Sequence, residues 1–375
     1  MKKHDGSKPS ERTVEVEVQP HPYSVIIGAG VLDTLGPRVG RLVKGRRAFV
    51  VTDENVDPLY AEQALASLRE GGFEAAVQVV PAGDATKSLE TLAKLYDAVA
   101  EAGIDRTCPV IALGGGVVGD LTGFLAATWM RGVPFVQCAT TVEADVDASV
   151  GGKTAVNHPL GKNMIGSFYQ PVLVLIDTAT LRTLSERDFR AGLAESVKHA
   201  VIRDGEFFTW HEEHADTLIA CDLESLGELL ERNVRIKAEI VAQDEREVTG
   251  VRALLNFGHT IGHAIETGMA RRGDPWRHGE AVAVGMIAAA HMSVRAGMLD
   301  HASAERITAL VGRIGLPVNA PLAAAREEMW QLMRLDKKSA AGKIRFVLAE
   351  KIGRAVLREQ IEPAWIEAGL DSVLV

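Results

Sequence analysis

At 375 residues, with 47% hydrophobic and 24% charged residues, the chain has the make-up of an ordinary soluble protein and a length that suits two domains. Its net charge of -9, without a compensating basic block, argues against nucleic acid or an anionic membrane as a partner. Cys108, Cys138 and Cys221 are too few and too scattered for a disulfide framework or a zinc ribbon, no apolar run is long enough to span a bilayer, and residues 1–12 form a polar leader with no readable signal peptide, so a cytoplasmic location is expected.

Thr13-Val-Glu-Val-Glu-Val18 alternates as a half-exposed strand, with Tyr23–Ile27 its expected partner across a Pro-containing turn. Arg47–Asp53 reads as a buried strand followed by a helical stretch through Leu68. Phe73–Val80 is a strand, Leu89–Ala102 a helix, and Pro109–Leu113 a strand that runs into Gly114-Gly-Gly-Val-Val-Gly-Asp120. Alternating strands and helices predict an α/β domain with a mostly parallel sheet and ligands at the carboxyl ends of its strands. From Leu181 onward long amphipathic patterns dominate: Glu186–Ile202, Leu223–Ala242, Ala253–Thr267, Glu280–Ala296 and Ala302–Ile314, with only Ile344–Leu348 and Ala355–Leu357 extended. The expected organisation is therefore an α/β domain over 13–180 and a mainly helical, all-α domain over 181–375, with the cleft between them as the default active site.

Three local patterns carry chemistry. Gly114, Gly116 and Gly119 satisfy G-x-G-x-x-G between a strand and a helix, where backbone can approach a pyrophosphate at a helix N-terminus. No acidic residue follows at the usual distance, and Asp53 at an earlier strand end is the available ribose partner, so an NAD site of a different layout is expected. Next, Asp147-Ala-Ser-Val-Gly-Gly-Lys-Thr154 and Asn157-His-Pro-Leu-Gly-Lys-Asn163 set Lys153 and Lys162 in polar, glycine-rich surroundings suited to a small phosphorylated ligand. Asp147 stands where a P-loop needs glycine, which disfavours nucleotide hydrolysis. Finally, His259 and His263 share one helix face, and His278 follows at the mouth of another apolar helix. Glu195, in the apolar Gly192-Leu-Ala-Glu-Ser-Val-Lys-His199 with Lys198 on the same face, is the natural further ligand, because a buried carboxylate needs a partner or a metal. By contrast, Trp210-His-Glu-Glu-His214 lacks the zinc-protease spacing and reads as an exposed helix face, while His291 reads as helix packing.

Taken together, Gly114–Asp120, Ala126-Ala-Thr-Trp-Met-Arg-Gly132, Ser149–Thr154, Asn157–Gly166, Gly192–Glu195, Leu255–His263, His278-Gly-Glu-Ala-Val282 and Asp336-Lys-Lys338 resemble the 3-dehydroquinate synthase family of sugar-phosphate cyclases, from about Val25 to Leu357. The resemblance implies an NAD-binding α/β domain, a helical metal domain and a homodimer. It implies Glu195, His259 and His278 as ligands of one divalent metal, zinc or alternatively cobalt, and His263 as a nearby acid/base or phosphate-region residue. NAD contacts would come from Asp53, Asp84, Lys87, Gly115, Gly116, Val117, Val118, Gly119, Asp120, Thr140, Thr141, Lys153, Lys162, Thr180, Leu181, Arg182 and Thr183. Substrate contacts would come from Asp147, Lys153, Asn163, Lys198, Lys237, Arg252, Asn256 and Lys337, with Arg131 reaching a neighbouring subunit; Asp147, Lys153, Lys198, Arg252 and His263 form the implied catalytic set. The implied reaction converts 3-deoxy-D-arabino-heptulosonate 7-phosphate to 3-dehydroquinate by NAD-dependent oxidation, phosphate elimination, reduction, ring opening and aldol closure, in the shikimate pathway. A phosphorylated sugar acid explains the cationic inventory.

Some positions depart from the family pattern. Asp84 stands where glutamate is usual, Glu143 and Asp145 add acids beside the expected substrate site and are expected to point away or meet a cation, and the stretch Asp244–Gly250 before Arg252 is one residue longer than usual. The rival readings are a sister cyclase acting on sedoheptulose 7-phosphate or an aminated substrate, a metal-dependent polyol dehydrogenase, and a non-catalytic ligand-binding relative.

Overall fold

The computed structural model describes residues 11–322, 325–336 and 345–375. In chain order the elements are β1 (Arg12–Val16), β2 (Tyr23–Gly28), α1 (Leu35–Leu42), β3 (Arg47–Asp53), α2 (Glu62–Glu70), β4 (Glu74–Val80), α3 (Leu89–Glu101), β5 (Val110–Gly114), α4 (Gly116–Thr128), β6 (Phe135–Ala139), β7 (Lys153–His158), β8 (Gly161–Phe168), β9 (Leu173–Asp177), α5 (Glu186–Arg203), α6 (Gly205–Ile219), α7 (Leu223–Gln243), α8 (His259–Arg271), α9 (His278–Arg295), α10 (His301–Ile314), α11 (Arg326–Asp336), β10 (Phe346–Lys351), β11 (Arg354–Arg358) and α12 (Pro363–Val373). They form two compact units, Met1–Leu184 with Leu223–Ala242, and Ser185–Asp222 with Gln243–Val375. The sequence reading places α7 with the helical half, whereas its contacts group it with the first unit. Arg12 pairs with Glu224 and Glu231 of α7, and Lys237 of α7 pairs with Asp147.

The first unit is built on a sheet in the order β1-β2-β9-β6-β5-β3-β4, parallel throughout except for β1. Its central strands β5, β6 and β9 are buried along their whole length, which is why they read as unbroken apolar runs. Val50 of β3 packs with Leu35, Val39 and Leu68 of α1 and α2, while Phe49 and Val51 pack with Leu92, Leu95 and Leu121 of α3 and α4. Successive residues of one strand thus serve opposite layers. The chain passes from β3 outward to β4 and returns to the other side of β3 as β5, so the strand order reverses between β3 and β5. Ligands of open parallel sheets bind beyond the carboxyl ends of the strands at such a reversal.

The second unit centres on α9, buried almost throughout from Gly279 to Ser293 because its small residues let neighbours close in from every side. Helices α5, α8, α10 and α12 and strand β10 all pack on it. A single helix over Ala253–Thr267 is not what forms. Arg252–Asn256 is a separate 3-10 turn, and Gly258 at φ 79 breaks the path before α8 starts at His259. A side chain at Gly258 would also stand 2.7 Å from the Met286 backbone nitrogen, so only glycine admits both the turn and the approach of α9. β10 and β11 form an antiparallel hairpin as the extended segments suggest, with Ile344 outside the described residues. Among the described residues no helix is long and apolar enough to cross a membrane.

Candidate active site

In the first unit the NAD candidates gather at the carboxyl edge of the sheet. Asp53 ends β3, Asp84 and Lys87 follow β4, Gly115–Asp120 follow β5, Thr140 and Thr141 follow β6, and Thr180–Thr183 follow β9. Asp53 Oδ1 accepts the backbone N–H groups of Asn55 and Val56 at 2.9 and 3.0 Å. Tyr60 Oη stands 2.7 Å from Thr183 Oγ1 and donates to the Thr180 carbonyl, steadying the turn that carries Leu181 and Arg182. α4 opens at Gly116, with Val117 and Val118 in its first turn, so its unsatisfied N–H groups face the same edge. Each glycine here has a steric reason. A Cβ on Gly115 would lie 3.1 Å from Thr141, and one on Gly119 would lie 2.3 Å from the Gln137 side-chain nitrogen of β6. This cradle, open to backbone and closed to side chains, fits a pyrophosphate.

Lys153 begins β7, and Lys162 and Asn163 lie on β8. Lys162 Nζ is 3.9 Å from Asp84 Oδ2. Asp84 also accepts from Asn157 at 3.0 Å, so the shorter acid is engaged with the hairpin. Lys237, although preceding a lengthened loop, reaches Asp147: it donates to the carboxylate at 2.6 Å and to the backbone carbonyl. Arg131 is exposed at φ 67. Asp145 does point away, into the interior, where it is 0% exposed. Burial, and then Asp177, hold its carboxyl well above the usual range, favouring the uncharged form over a repelling charge.

In the second unit three helices converge on one point. His259 and His263 project from the first turns of α8, His278 begins α9, and Glu195 lies in the middle of α5. Their ring centroids stand 5.3 Å apart for His259–His263 and His259–His278, and 5.6 Å for His263–His278. Nitrogens of the three rings all lie within 4.8 Å of one another. Glu195 Oε1 is 3.6 Å from Nε2 of both His259 and His278. A tetrahedral ion with bonds of about 2.1 Å has ligand–ligand edges of about 3.4 Å, so these two edges match a divalent metal nearly as they stand. The donor set, two imidazoles and a carboxylate, is that of a catalytic zinc with a position left open.

The outer contacts agree. His278 Nδ1 lies 3.1 Å from Glu266 Oε2, and His259 Nδ1 lies 3.2 Å from the Phe257 carbonyl, which turns both Nε2 atoms toward Glu195. Burial, and then the Lys198 ammonium, push the His259 imidazole down to about 3, leaving it in the neutral form that a metal ligand requires. Glu195 and Lys198 are each 1% exposed, and Lys198 pairs with the second oxygen, Glu195 Oε2. Helix ends are pinned by ion pairs. Arg187 holds Glu280 at 2.6 Å and Arg277 holds Asp188 at 2.6 Å, fixing the start of α9 against the start of α5.

Arg252 is 2% exposed and donates through Nη1 to the Glu245 carbonyl, while Asp244 accepts the backbone N–H groups of Val248, Thr249 and Arg252. Burial opposes ionisation of Asp244, yet those three donors prevail and hold its carboxyl well below the usual range. Asn256 lines a cavity of about 310 Å³ with Thr249, Thr260 and Arg345. Lys337 lies outside the described residues. The exposed face expected around His211 is corrected: His211 is 0% exposed, with Nε2 2.7 Å from Ser196 Oγ and Nδ1 2.7 Å from the Phe207 carbonyl. Glu266 was not singled out by sequence. Its position seven residues after His259 and three after His263, on the same helix face, is the signal that could have found it.

Comparison with known proteins gives a consistent answer. Residues 77–191 match the profile of the 3-dehydroquinate synthase N-terminal domain, and residues 192–339 that of the C-terminal domain. A 3-dehydroquinate synthase of Desulforamulus reducens is 47% identical over 358 residues, 96% of this chain and 99% of that protein. Among solved structures, the 2-epi-5-epi-valiolone synthase ValA of Streptomyces hygroscopicus subsp. jinggangensis, with NAD+ and Zn2+ bound, superposes with a TM-score of 0.84 at 30% identity, covering 94% of this chain and 97% of that one. A 2-deoxy-scyllo-inosose synthase complexed with carbaglucose-6-phosphate, NAD+ and Co2+ shares the fold, with a TM-score of 0.86 at 23% identity over 96% and 100% of the two chains. With both domain profiles matched in order and a relative aligned over nearly its whole length, the chain belongs to the 3-dehydroquinate synthase family.

Proposed function

We infer that the chain catalyses the family reaction, conversion of 3-deoxy-D-arabino-heptulosonate 7-phosphate to 3-dehydroquinate and phosphate, with NAD and one divalent metal as cofactors. The observation that carries this reading is the buried triangle of Glu195, His259 and His278 with Lys198 beside it, in a chain 47% identical over nearly its full length to a relative named for that activity. The NAD+ and Zn2+ held by ValA support the same cofactors here.

Glu195, His259 and His278 hold the metal, and the carboxyl edge of the first unit's sheet holds NAD, with Gly115–Asp120 cradling the pyrophosphate. When bound, NAD supplies reversible hydride acceptance and the metal supplies Lewis acidity toward the substrate oxygens. The chain's own side chains orient the substrate and move protons. Lys198, buried against Glu195, presents an ammonium next to the metal ligands and suits a substrate oxygen anion. Lys153, Arg252, Asn256 and Asn163 oppose the carboxylate and phosphate, and Lys337 joins them by family resemblance. Lys237 holds Asp147 by its carboxylate and backbone, fixing that acid at the substrate. His263, one turn from His259 and in the same imidazole cluster, serves as the proton-transfer group. A homodimer in which Arg131 reaches the neighbouring phosphate site, and a cytoplasmic location suited to three free thiols, complete the proposal.

The discriminating experiment offers the purified, metal-loaded protein NAD and either the heptulosonate phosphate or sedoheptulose 7-phosphate. Phosphate release from the first alone is expected. Release from the second alone would move the chain to a sister cyclase.

A further inference from the structure

Lys87 stands at a junction. Its side chain is 6% exposed, and its ammonium donates to Asp120 Oδ2 at 2.6 Å and to Asn163 Oδ1 at 2.5 Å. Asp120 belongs to the second turn of α4, the helix of the glycine loop, while Asn163 sits on β8 in a left-handed conformation, φ 56. The main chain repeats the link. The Asn157 N–H donates to the Lys87 carbonyl at 2.8 Å, and Asn157 Oδ1 accepts the Asn163 N–H at 2.9 Å. Asn157 can do this because the β7–β8 register slips between Val156 and His158, which takes its amide out of the ladder. One lysine therefore ties the cofactor helix to the hairpin at both side-chain and backbone level.

A buried ammonium needs acceptors, and here both come from ligand-facing elements. Asn163 takes a left-handed backbone position that asparagine tolerates, and the Lys87 ammonium fixes where its side chain points from there. Losing the ammonium would leave the Asn163 carbonyl and the Asp120 carboxylate without their shared donor.

We propose that Lys87 is a positioning residue that couples the cofactor loop to the substrate-facing hairpin, by bridging Asp120 and Asn163 so that each ligand's site is organised by the same ammonium. The proposal rests on the cyclase reading for the identity of the two ligands. The coupling itself is independent of turnover.

The test is a double-mutant cycle on the full chain with K87M, N163A and the pair, reading NAD Kd without substrate, substrate KM and kcat, and backbone hydrogen exchange over 157–163. Coupling predicts that K87M raises substrate KM about tenfold or more, that adding K87M to N163A worsens KM by no more than about twofold, and that K87R restores most of the loss. It also predicts that N163A alone, measured without substrate, weakens NAD about threefold or more, and that residues 157–163 exchange about tenfold faster in NAD-free K87M. Additive KM losses, or unchanged NAD affinity in N163A, would overturn it. If K87M does not fold, the N163A measurement still decides. If the wild-type chain turns over no heptulosonate phosphate, the function reading fails while the NAD and exchange measurements continue to judge the coupling.

Discussion

Gly279→Ala tests how the metal triangle is built. Gly279 follows the proposed ligand His278, and a Cβ there would lie 1.9 Å from the Ala191 carbonyl oxygen of α5, one turn before Glu195. That oxygen is backbone and cannot swing aside. To reach 3.0 Å, the shortest separation real Cβ atoms tolerate, α9 must withdraw from α5 by about 1.1 Å. The same displacement would open the His278 Nε2–Glu195 Oε1 edge from 3.6 Å to at most about 4.7 Å, away from the ~3.4 Å edge of a tetrahedral zinc. Overpacking should cost roughly 1–3 kcal/mol of stability, and metal affinity should fall on the order of 100-fold. The assay is competition with a chromophoric chelator on protein whose far-UV dichroism shows intact helices. A folded variant that binds metal within about threefold of wild type would refute the claim that this contact sets the triangle.

Glu195→Gln should abolish stoichiometric metal retention together with turnover, since it removes the charged ligand and leaves the Lys198 ammonium buried beside a neutral amide; full activity in metal-depleted variant would contradict the assignment. Glu266→Ala should weaken metal about 10- to 100-fold with little change in melting temperature, because it frees the ring orientation of His278 while removing no ligand, and an unchanged metal Kd would count against it. Asp145→Gln should flatten the pH dependence of stability. A carboxyl whose folded pKa lies above its unfolded value contributes most below the unfolded value, and stability then falls by about 1.4 kcal/mol per pH unit as pH rises toward the folded value. Urea midpoints should therefore diverge in the variant's favour as pH rises above the range of an unfolded carboxyl, and parallel curves would contradict a raised Asp145 carboxyl.

What was legible in the sequence follows from local periodicity. Buried parallel strands such as β5 and β9 appear as unbroken apolar runs, and the His259–His263 pair announces a shared helix face without any tertiary knowledge. Glu195 stood out because a carboxylate in an apolar helix demands a partner. Tertiary facts were hidden. Lys87 and Asn163 meet across 76 positions, and nothing local in either segment signals the other. Helix α7 looks like its neighbours by periodicity, while its ion pairs with Arg12 and Asp147 decide where it packs. The reading of His211 failed because the polar string Trp210-His-Glu-Glu-His214 masks a buried stripe in which Phe207 and His211, four apart, lie with ring centroids 4.2 Å apart. The break at Gly258 was missed because an isolated glycine in an amphipathic pattern is usually tolerated, and only the approach of α9 makes it obligatory.

A redox cycle in which NAD is borrowed and returned leaves its mark in the stoichiometry of one reaction mixture. With NAD at substoichiometric concentration and metal-loaded protein, phosphate and 3-dehydroquinate should form in equal amounts, many of each per NAD, with no accumulation of reduced cofactor. Net NADH formed in proportion to substrate consumed would instead identify a dehydrogenase and rule out the returned hydride.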